Sequence, residues 1–151
     1  MPAALRLWTW EDKPRTKNGT ARKWYVDNEY HVQNMLWSIL SPVFPDLVAE
    51  EYLPAVGQKQ PRADIGIPSL GLIIEVKFMR SSATPQDIIG EIAEDSSLYR
   101  TAGSRYSTII PFVWDDSRRT EEHDMMVNGL KCLPGVCDAV MVPRPGSMHA
   151  D

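Results

Sequence analysis

The sequence predicts an α/β domain in which helices flank a central mixed β-sheet. Two short apolar runs, residues 62–67 and 72–78, lie on either side of a Pro-Ser-Leu-Gly turn and predict a β-hairpin. Amphipathic patterns over residues 27–40 and 85–100 predict two helices that pack on this sheet. The predicted order is helix, three strands, helix and strand, which is an αβββαβ core, followed by one more helix and strand.

The first predicted helix begins at a capping residue and buries one face. Asp27 or Asn28 can accept the first backbone amides, and apolar residues then recur at helical spacing over three turns. Glu29 continues the buried face at its N-terminal end, where a carboxylate also suits the helix dipole. Glu29 is therefore either a surface residue favoured by the dipole or a group that reaches into a site. His31 and Gln33 are predicted to face solvent.

The second predicted helix has clear start signals. Thr84 is a good cap, Pro85 occupies the first helical position, and Asp87 lies in the first turn. An apolar strand follows at residues 106–114, and Pro111 within it predicts a bulge or an edge position. A short helix over residues 120–130, with His123 on its surface, and a strand over residues 138–142 complete the domain. A first strand over residues 47–56 precedes the hairpin.

Charged residues occupy the middle of the second hairpin strand. Because side chains alternate along a strand, Glu75 and Lys77 share the face opposite Ile74 and Val76. Asp64 lies on the preceding strand, and the hairpin can bring it next to Glu75. Two carboxylates and an ammonium would then converge, which is costly unless the groups pair or hold a metal ion. The alternative is that Glu75 and Lys77 are gatekeepers on a solvent-facing or edge strand, and the upstream Asp64 favours the functional interpretation.

Length and composition are those of one soluble domain. The chain has 151 residues, of which 43% are hydrophobic and 24% are charged. No run has the length of a membrane span, and the N-terminus lacks the apolar core of a signal peptide, so a cytoplasmic protein without a membrane partner is expected. Cys132 and Cys137 are predicted to be free thiols, because two cysteines without nearby histidines are too few ligands for structural zinc.

Charge divides the chain into a basic arm and an acidic body. Residues 1–26 carry six basic and two acidic residues, a net charge of +4, whereas the remainder carries ten basic and eighteen acidic residues, a net charge of −8. The arm, which includes Lys23, Trp8 and Trp10, is predicted either to contact phosphates or to be a linker. Residues 27–145 are predicted to form the folded domain, and residues 146–151 a tail.

These elements and residues resemble a known group of enzymes. The order helix, three strands, helix, strand, with an Asp on the second strand and Glu-x-Lys on the third, is similar to the PD-(D/E)XK phosphodiesterase superfamily. The segments EVKFMR, IIGEIAEDSSLYR, STIIPFVWDD and CDAVMVPRP, between Glu75 and about Pro143, resemble the restriction-endonuclease branch that includes DpnII and MboI. In that branch an acidic residue and a Tyr-Arg pair follow the catalytic strand on a helix, and here these match Asp95 and Tyr99-Arg100.

The resemblance implies a restriction-endonuclease-like fold and a metal-dependent nuclease. Asp64, Glu75 and Lys77 would be catalytic. Mg²⁺, or Mn²⁺ as a substitute, would be held by Asp64, Glu75, the Val76 carbonyl and Glu29, because hard cations favour oxygen ligands. Four basic residues are candidate nucleic-acid contacts: Arg62, Arg80, Arg100 and Lys23.

Substrate and partners are left with alternatives. DNA is the expected substrate, RNA is the second choice, and a non-catalytic nucleic-acid-binding or oligomerisation module of the same fold is the third. Cutting both strands would usually require two sites, so a homodimer is expected. Similar small domains are effectors joined to sensor modules in bacterial defence proteins, which predicts a fused or partner sensor domain here.

Overall fold

The computed structural model describes residues 13–21, 25–101, 103–146 and 148. Lys23, Trp8 and Trp10 lie outside the described residues, as do most of the predicted arm and tail. Among the described helices, none is long and apolar enough to cross a membrane.

One five-stranded sheet forms the centre of the fold, and its strands follow one another in chain order. The first three strands pair antiparallel with one another, and the last two run parallel to the third. A single 3₁₀ turn, Pro68–Leu70, closes the predicted hairpin. The sheet is therefore mixed, as predicted, and its strands are β1 (Val48–Tyr52), β2 (Arg62–Ile67), β3 (Leu72–Met79), β4 (Thr108–Asp115) and β5 (Val140–Pro143).

Helices cover both faces of the sheet: α1 (Glu29–Leu40), α2 (Pro85–Tyr99) and α3 (His123–Lys131). One apolar core joins α1 to the sheet through Val32 and Met35, whereas the second core joins α2 and α3 to the opposite face through Ile92 and Met126. Parallel strands require a long crossover, and here α2 and α3 supply the two crossovers. The α/β architecture predicted from the sequence, a central mixed sheet flanked by helices, is confirmed.

Strand β3 separates the two cores and so positions the predicted site. Ile74 and Val76 belong to the core beneath α1, whereas Ile73 and Met79 belong to the core beneath α2 and α3. Side chains alternate across a strand, so Glu75, which is only 4% exposed, shares the α2 side of β3. Strand β3 therefore has the predicted apolar face and charged face. The charged face carries Glu75 and Lys77 in its middle and the apolar residues Ile73 and Met79 at its ends.

Pro111 was predicted to mark a bulge or an edge strand, and the edge prediction is wrong. Strand β4 lies between β3 and β5. The Ile109 amide donates to Gly135 on the β5 side, so an amide at position 111 would point to the same side, where β5 has not yet begun. The proline is tolerated in a central strand because no ladder hydrogen bond is lost there.

Two histidines differ in their surroundings. Asn28 is the cap of α1, and it accepts the His31 amide at 3.1 Å. His123 was predicted to lie on the surface, but its side chain is only 15% exposed and contacts the fully buried Asp115 at 2.8 Å. The sequence did not predict this contact, because it depends on how α3 packs against the end of β4. The spacing of apolar residues within α3 gives no information on that packing.

Gly66 provides a test of the packing around the sheet. A β-carbon at Gly66 would press on the Tyr106 side chain, 2.8 Å from its Cζ, and the Tyr106 hydroxyl bonds Glu51. We expect Gly66→Ala to lower the free energy of unfolding by about 1–3 kcal/mol, since a packed core resists added volume. Urea unfolding measures this.

Gly90→Ala is the matched control for this prediction. Gly90 lies within α2, and a β-carbon there has no neighbour within 4 Å. Alanine at this position should stabilise the protein by about 0.5–1 kcal/mol, because glycine is unfavourable inside a helix. Equal unfolding midpoints for both variants would contradict the close approach of Tyr106 to β2.

Candidate active site

Strands β2 and β3 separate where the predicted carboxylates lie. Their last paired residues are Ile65 and Ile74, and continuation of this register would pair Asp64 with Glu75. Instead, the Val76 amide donates to the Asp64 carboxylate at 2.8 Å, so a side chain takes the place of the next backbone acceptor. The Val76 carbonyl points to the same side of β3 as its amide, toward Asp64. An opening between two strands thus contains carboxylate and carbonyl oxygens.

Glu75 projects beside this opening and is held by two neighbours. Its Oε1 accepts from Lys77 Nζ at 3.2 Å, and its Oε2 accepts from the Tyr99 hydroxyl at 2.9 Å. The Tyr99 hydroxyl also lies 3.1 Å from the Arg62 carbonyl oxygen. Tyr99 therefore connects α2 to both strands of the opening and fixes the orientation of the Glu75 carboxylate.

Lys77 lies between two acidic side chains from different elements. Its Nζ is 3.2 Å from Glu75 on β3 and 3.0 Å from Asp95 on α2, and its side chain is only 13% exposed. Asp95 is the acidic helix residue that the family resemblance identified. Because the ammonium bridges a strand and a helix, its position is set by the packing of α2 on the sheet.

Burial and mutual repulsion shift the acidity of these groups. Burial raises the pKa of Glu75 well above its ordinary value, and the nearby Asp64 carboxylate raises it further. Burial also raises the pKa of Asp64, despite the opposing effect of the Val76 amide and Lys77. Burial by itself would lower the pKa of Lys77, but Glu75 and Asp95 outweigh it and raise that pKa above its ordinary value. The lysine is therefore held as an ammonium ion.

Glu29 approaches the cluster from α1. It lies close enough to Lys77 and Asp64 for their charges to act on it, and the Phe78 backbone amide favours its charged form. Burial raises the pKa of Glu29 above its ordinary value, and the like charge of Asp64 raises it further. Of the two alternatives for Glu29, the structure places it beside the site rather than on a free surface.

Gln33 is a site residue that the sequence analysis missed. It was predicted to face solvent, but it is buried, and its side-chain amide donates to the Asp64 carbonyl at 3.0 Å. This carbonyl needs a partner because the strands separate there. Gln33 is one turn after Glu29 on α1, and that spacing was the available signal that it shares the side of Glu29.

The predicted nucleic-acid contacts are distributed around the site. Arg62 lies two residues before Asp64, and its charge acts on that carboxylate. Arg80 follows β3, stacks 4.9 Å from the centre of the Phe78 ring and donates to the Asp27 carbonyl. Arg100 is not brought to the carboxylates. It lines a separate groove with Ser97 and Pro134, because it lies about 100° around α2 from Tyr99.

A comparison with known families identifies the chain. A family model described as the DpnII-MboI restriction endonucleases matches residues 1–146. The chain belongs to this family. The family is part of the restriction-endonuclease-like superfamily, so the resemblance drawn from the motifs is confirmed. The match begins at residue 1. The superfamily pattern, in contrast, leaves residues 1–26 uncovered, and the segments that resemble this family begin at Glu75.

Membership of the DpnII-MboI family indicates a DNA-cleaving nuclease with phosphodiesterase activity. Enzymes of this family act on DNA and generally use divalent metal ions such as Mg²⁺. Comparisons with curated proteins and with solved structures gave no match.

Tyr99→Phe tests the support of Glu75 in this family member. The substitution removes the hydroxyl that bonds Glu75 and leaves the ring in place. If Glu75 is the metal ligand that the sequence predicts, we expect activity on DNA to fall by about 10- to 100-fold, a typical loss when a group that orients a ligand is removed. Tyr106→Phe is the matched control, since its hydroxyl bonds Glu51 instead. Equal activities of the two variants in a plasmid-nicking assay would contradict this role for Tyr99.

Proposed function

We propose that this chain is a Mg²⁺-dependent endonuclease that hydrolyses phosphodiester bonds of DNA. One observation carries the proposal: Asp64, Glu75 and Lys77 converge where β2 and β3 separate. The same arrangement lowers the stability of the folded protein, because it buries two carboxylates whose charges repel each other. Membership of a restriction endonuclease family supports the chemical interpretation of this arrangement.

The donor atoms suit a hard divalent cation. Among the described residues, no three His, Cys, Asp or Glu side chains form a ready metal site. Mg²⁺ does not need such a set, since it usually keeps several waters and binds one or two carboxylates together with substrate phosphates. Asp64, Glu75 and the Val76 carbonyl would hold it, and a cation there would relieve the repulsion that raises the pKa of Glu75. When bound, the cation acidifies a water and neutralises charge on the phosphoryl group.

Lys77 acts as a charged donor in this proposal. Its raised pKa keeps the ammonium protonated at neutral pH, so it orients a water or a phosphate oxygen by hydrogen bonding rather than removing a proton. Asp95 holds Nζ near Glu75. Glu29, whose carboxylate lies within reach of the Lys77 charge, contributes negative charge to the same region and would be a further metal ligand.

Basic side chains would hold the DNA strand. Arg62 and Arg80 lie on either side of the acidic cluster along the chain, and both are exposed. Each provides a planar group that matches a phosphate. Arg100, in its separate groove, and Lys23, in the predicted arm, would add contacts farther along the DNA.

In this function the chain is an effector of a bacterial defence or restriction system. A homodimer supplies the second site needed to cut both strands, and a fused or partner sensor domain would control it. The family match supports the nuclease class from which these roles are inferred.

Incubation with plasmid DNA, single-stranded DNA and RNA tests the proposal. Each substrate is tested with Mg²⁺, with Mn²⁺ and with EDTA. We expect the plasmid to be nicked or linearised with either metal and to remain intact with EDTA. Cleavage that persists in EDTA would contradict the metal requirement, and cleavage of RNA alone would contradict the choice of DNA.

A further inference from the structure

Two exposed tyrosines lie near an arginine that is close to the carboxylates. Tyr30, on α1, is 57% exposed, and Tyr52, at the end of β1, is 64% exposed. Tyr52 is the cross-strand neighbour of Arg62, and the Tyr30 side chain lies close enough to the Arg62 guanidinium to act on its charge. We call Tyr30, Arg62 and Tyr52 the tyrosine patch.

The composition of this surface is unusual within the described part of the chain. Eight large hydrophobic side chains are exposed there, and only Tyr30 and Tyr52 among them are aromatic. Both are neighbours of Arg62, although they come from separate elements. Neither ring belongs to either apolar core, so the fold does not explain why both are aromatic.

The tyrosine patch adjoins the acidic cluster on two elements. Tyr30 directly follows Glu29 on α1, and Arg62 precedes Asp64 by two residues on β2. The charge of Arg62 acts on the Asp64 carboxylate. A strand whose phosphate lies at the carboxylates would therefore pass its neighbouring nucleotides over the patch.

Arg62 can exchange its present partner for a phosphate. Its contact with Glu50 is long, at 3.6 Å, and both side chains are 41% exposed. Exposed ion pairs of this kind contribute little stability. The guanidinium can therefore leave Glu50 and bind a phosphate with little loss of stability.

We propose that the tyrosine patch binds unpaired bases of the DNA strand beside the cleaved phosphate. This inference rests on the proposed nuclease function. Tyrosine rings stack on bases of any sequence, whereas the bases of an intact duplex are already stacked on each other and offer only their edges. The patch therefore fits a single-stranded or locally opened substrate, with Arg62 on its backbone.

Fluorescence anisotropy in EDTA tests this binding without cleavage. The probes are a labelled single strand of about 12 nucleotides and the duplex of the same sequence. We expect Tyr30→Leu and Tyr52→Leu each to weaken single-strand binding at least about fivefold, and duplex binding less than about twofold. Tyr30→Phe keeps the ring and should bind as the parent. Met125→Ala, at an exposed residue of α3, is the control for a distant surface change.

Several results would overturn the inference. The parent could fail to bind the single strand, the leucine variants could bind it as tightly as the parent, or they could lose both probes equally. Circular dichroism verifies that each variant is folded. If Tyr52→Leu is not folded, Tyr52→Phe replaces it. Loss of single-strand binding by this phenylalanine variant would count against stacking, because the ring is still present. Unchanged single-strand binding by leucine variants of a parent that cuts plasmid DNA would exclude the patch and retain the nuclease. A parent that cuts nothing would exclude the nuclease.

Discussion

Alanine substitution of Asp64 or Glu75 is expected to abolish cleavage and divalent-metal binding together. Both residues supply oxygen atoms at the opening between β2 and β3, and among the described residues no three His, Cys, Asp or Glu side chains form a metal site that could retain the ion without them. Lys77→Ala should also lower cleavage, by about 10²- to 10³-fold, but through loss of a charged donor. Since it leaves both carboxylates in place, this variant should still bind Mn²⁺, with an affinity equal to or above that of the parent.

Calorimetric titration with Mn²⁺ and a plasmid-nicking assay on the same preparations separate these effects. Glu94→Ala is the matched control, because Glu94 is an exposed carboxylate on α2 that pairs with Lys59. It should keep both activities. A Lys77→Ala variant that cuts at the parent rate would refute the role given to Lys77. A parent that binds no metal ion would favour the non-catalytic binding module.

Replacing Glu75 by glutamine is expected to stabilise the metal-free protein at neutral pH. The pKa of Glu75 is raised above its ordinary value of 4.5, so the folded state binds this proton more tightly than the unfolded chain. The free energy of unfolding therefore falls as pH rises from 4.5 through the raised pKa. Glutamine has no charge to bury, and the gain at pH 8 should be of the order of 1–3 kcal/mol.

Urea unfolding at several pH values, with and without Mg²⁺, measures this difference. The two proteins should converge in stability near pH 4.5, where the Glu75 carboxyl is protonated in the folded parent. Added Mg²⁺ should stabilise the parent, by about 2.7 kcal/mol at 100 times its Kd, and should leave Glu75→Gln nearly unchanged. A pH-independent gain would mean that something other than the charge of Glu75 is responsible.

The hairpin and the charged face of β3 were predictable because both follow local rules. Alternation along a strand assigns Glu75 and Lys77 to one face, and turn residues at 68–71 bring β2 back toward β3. These rules also place Asp64 beside Glu75. The order of the helices and strands was equally accessible, because each apolar pattern reflects burial on one face of the sheet.

The remaining site contacts depend on tertiary packing and could not be derived in this way. Gln33 contacts a carbonyl 31 residues away, and this carbonyl is free only because the strands separate. Tyr99 could be matched to the family motif, but its bond to Glu75 depends on how α2 sits on the sheet. The edge position predicted for Pro111 was wrong because the start of β5 is a property of the neighbouring strand.

The Val76 amide makes this site observable by magnetic resonance. Its proton is shared with the Asp64 side chain, whereas amides earlier in β3 pair with backbone. A cation that binds the Asp64 carboxylate changes the electron density on the oxygen that accepts this hydrogen bond. The ¹⁵N and ¹H chemical shifts of the Val76 amide should therefore report ion binding. The same resonance offers a probe of substrate entry that needs no label and no turnover.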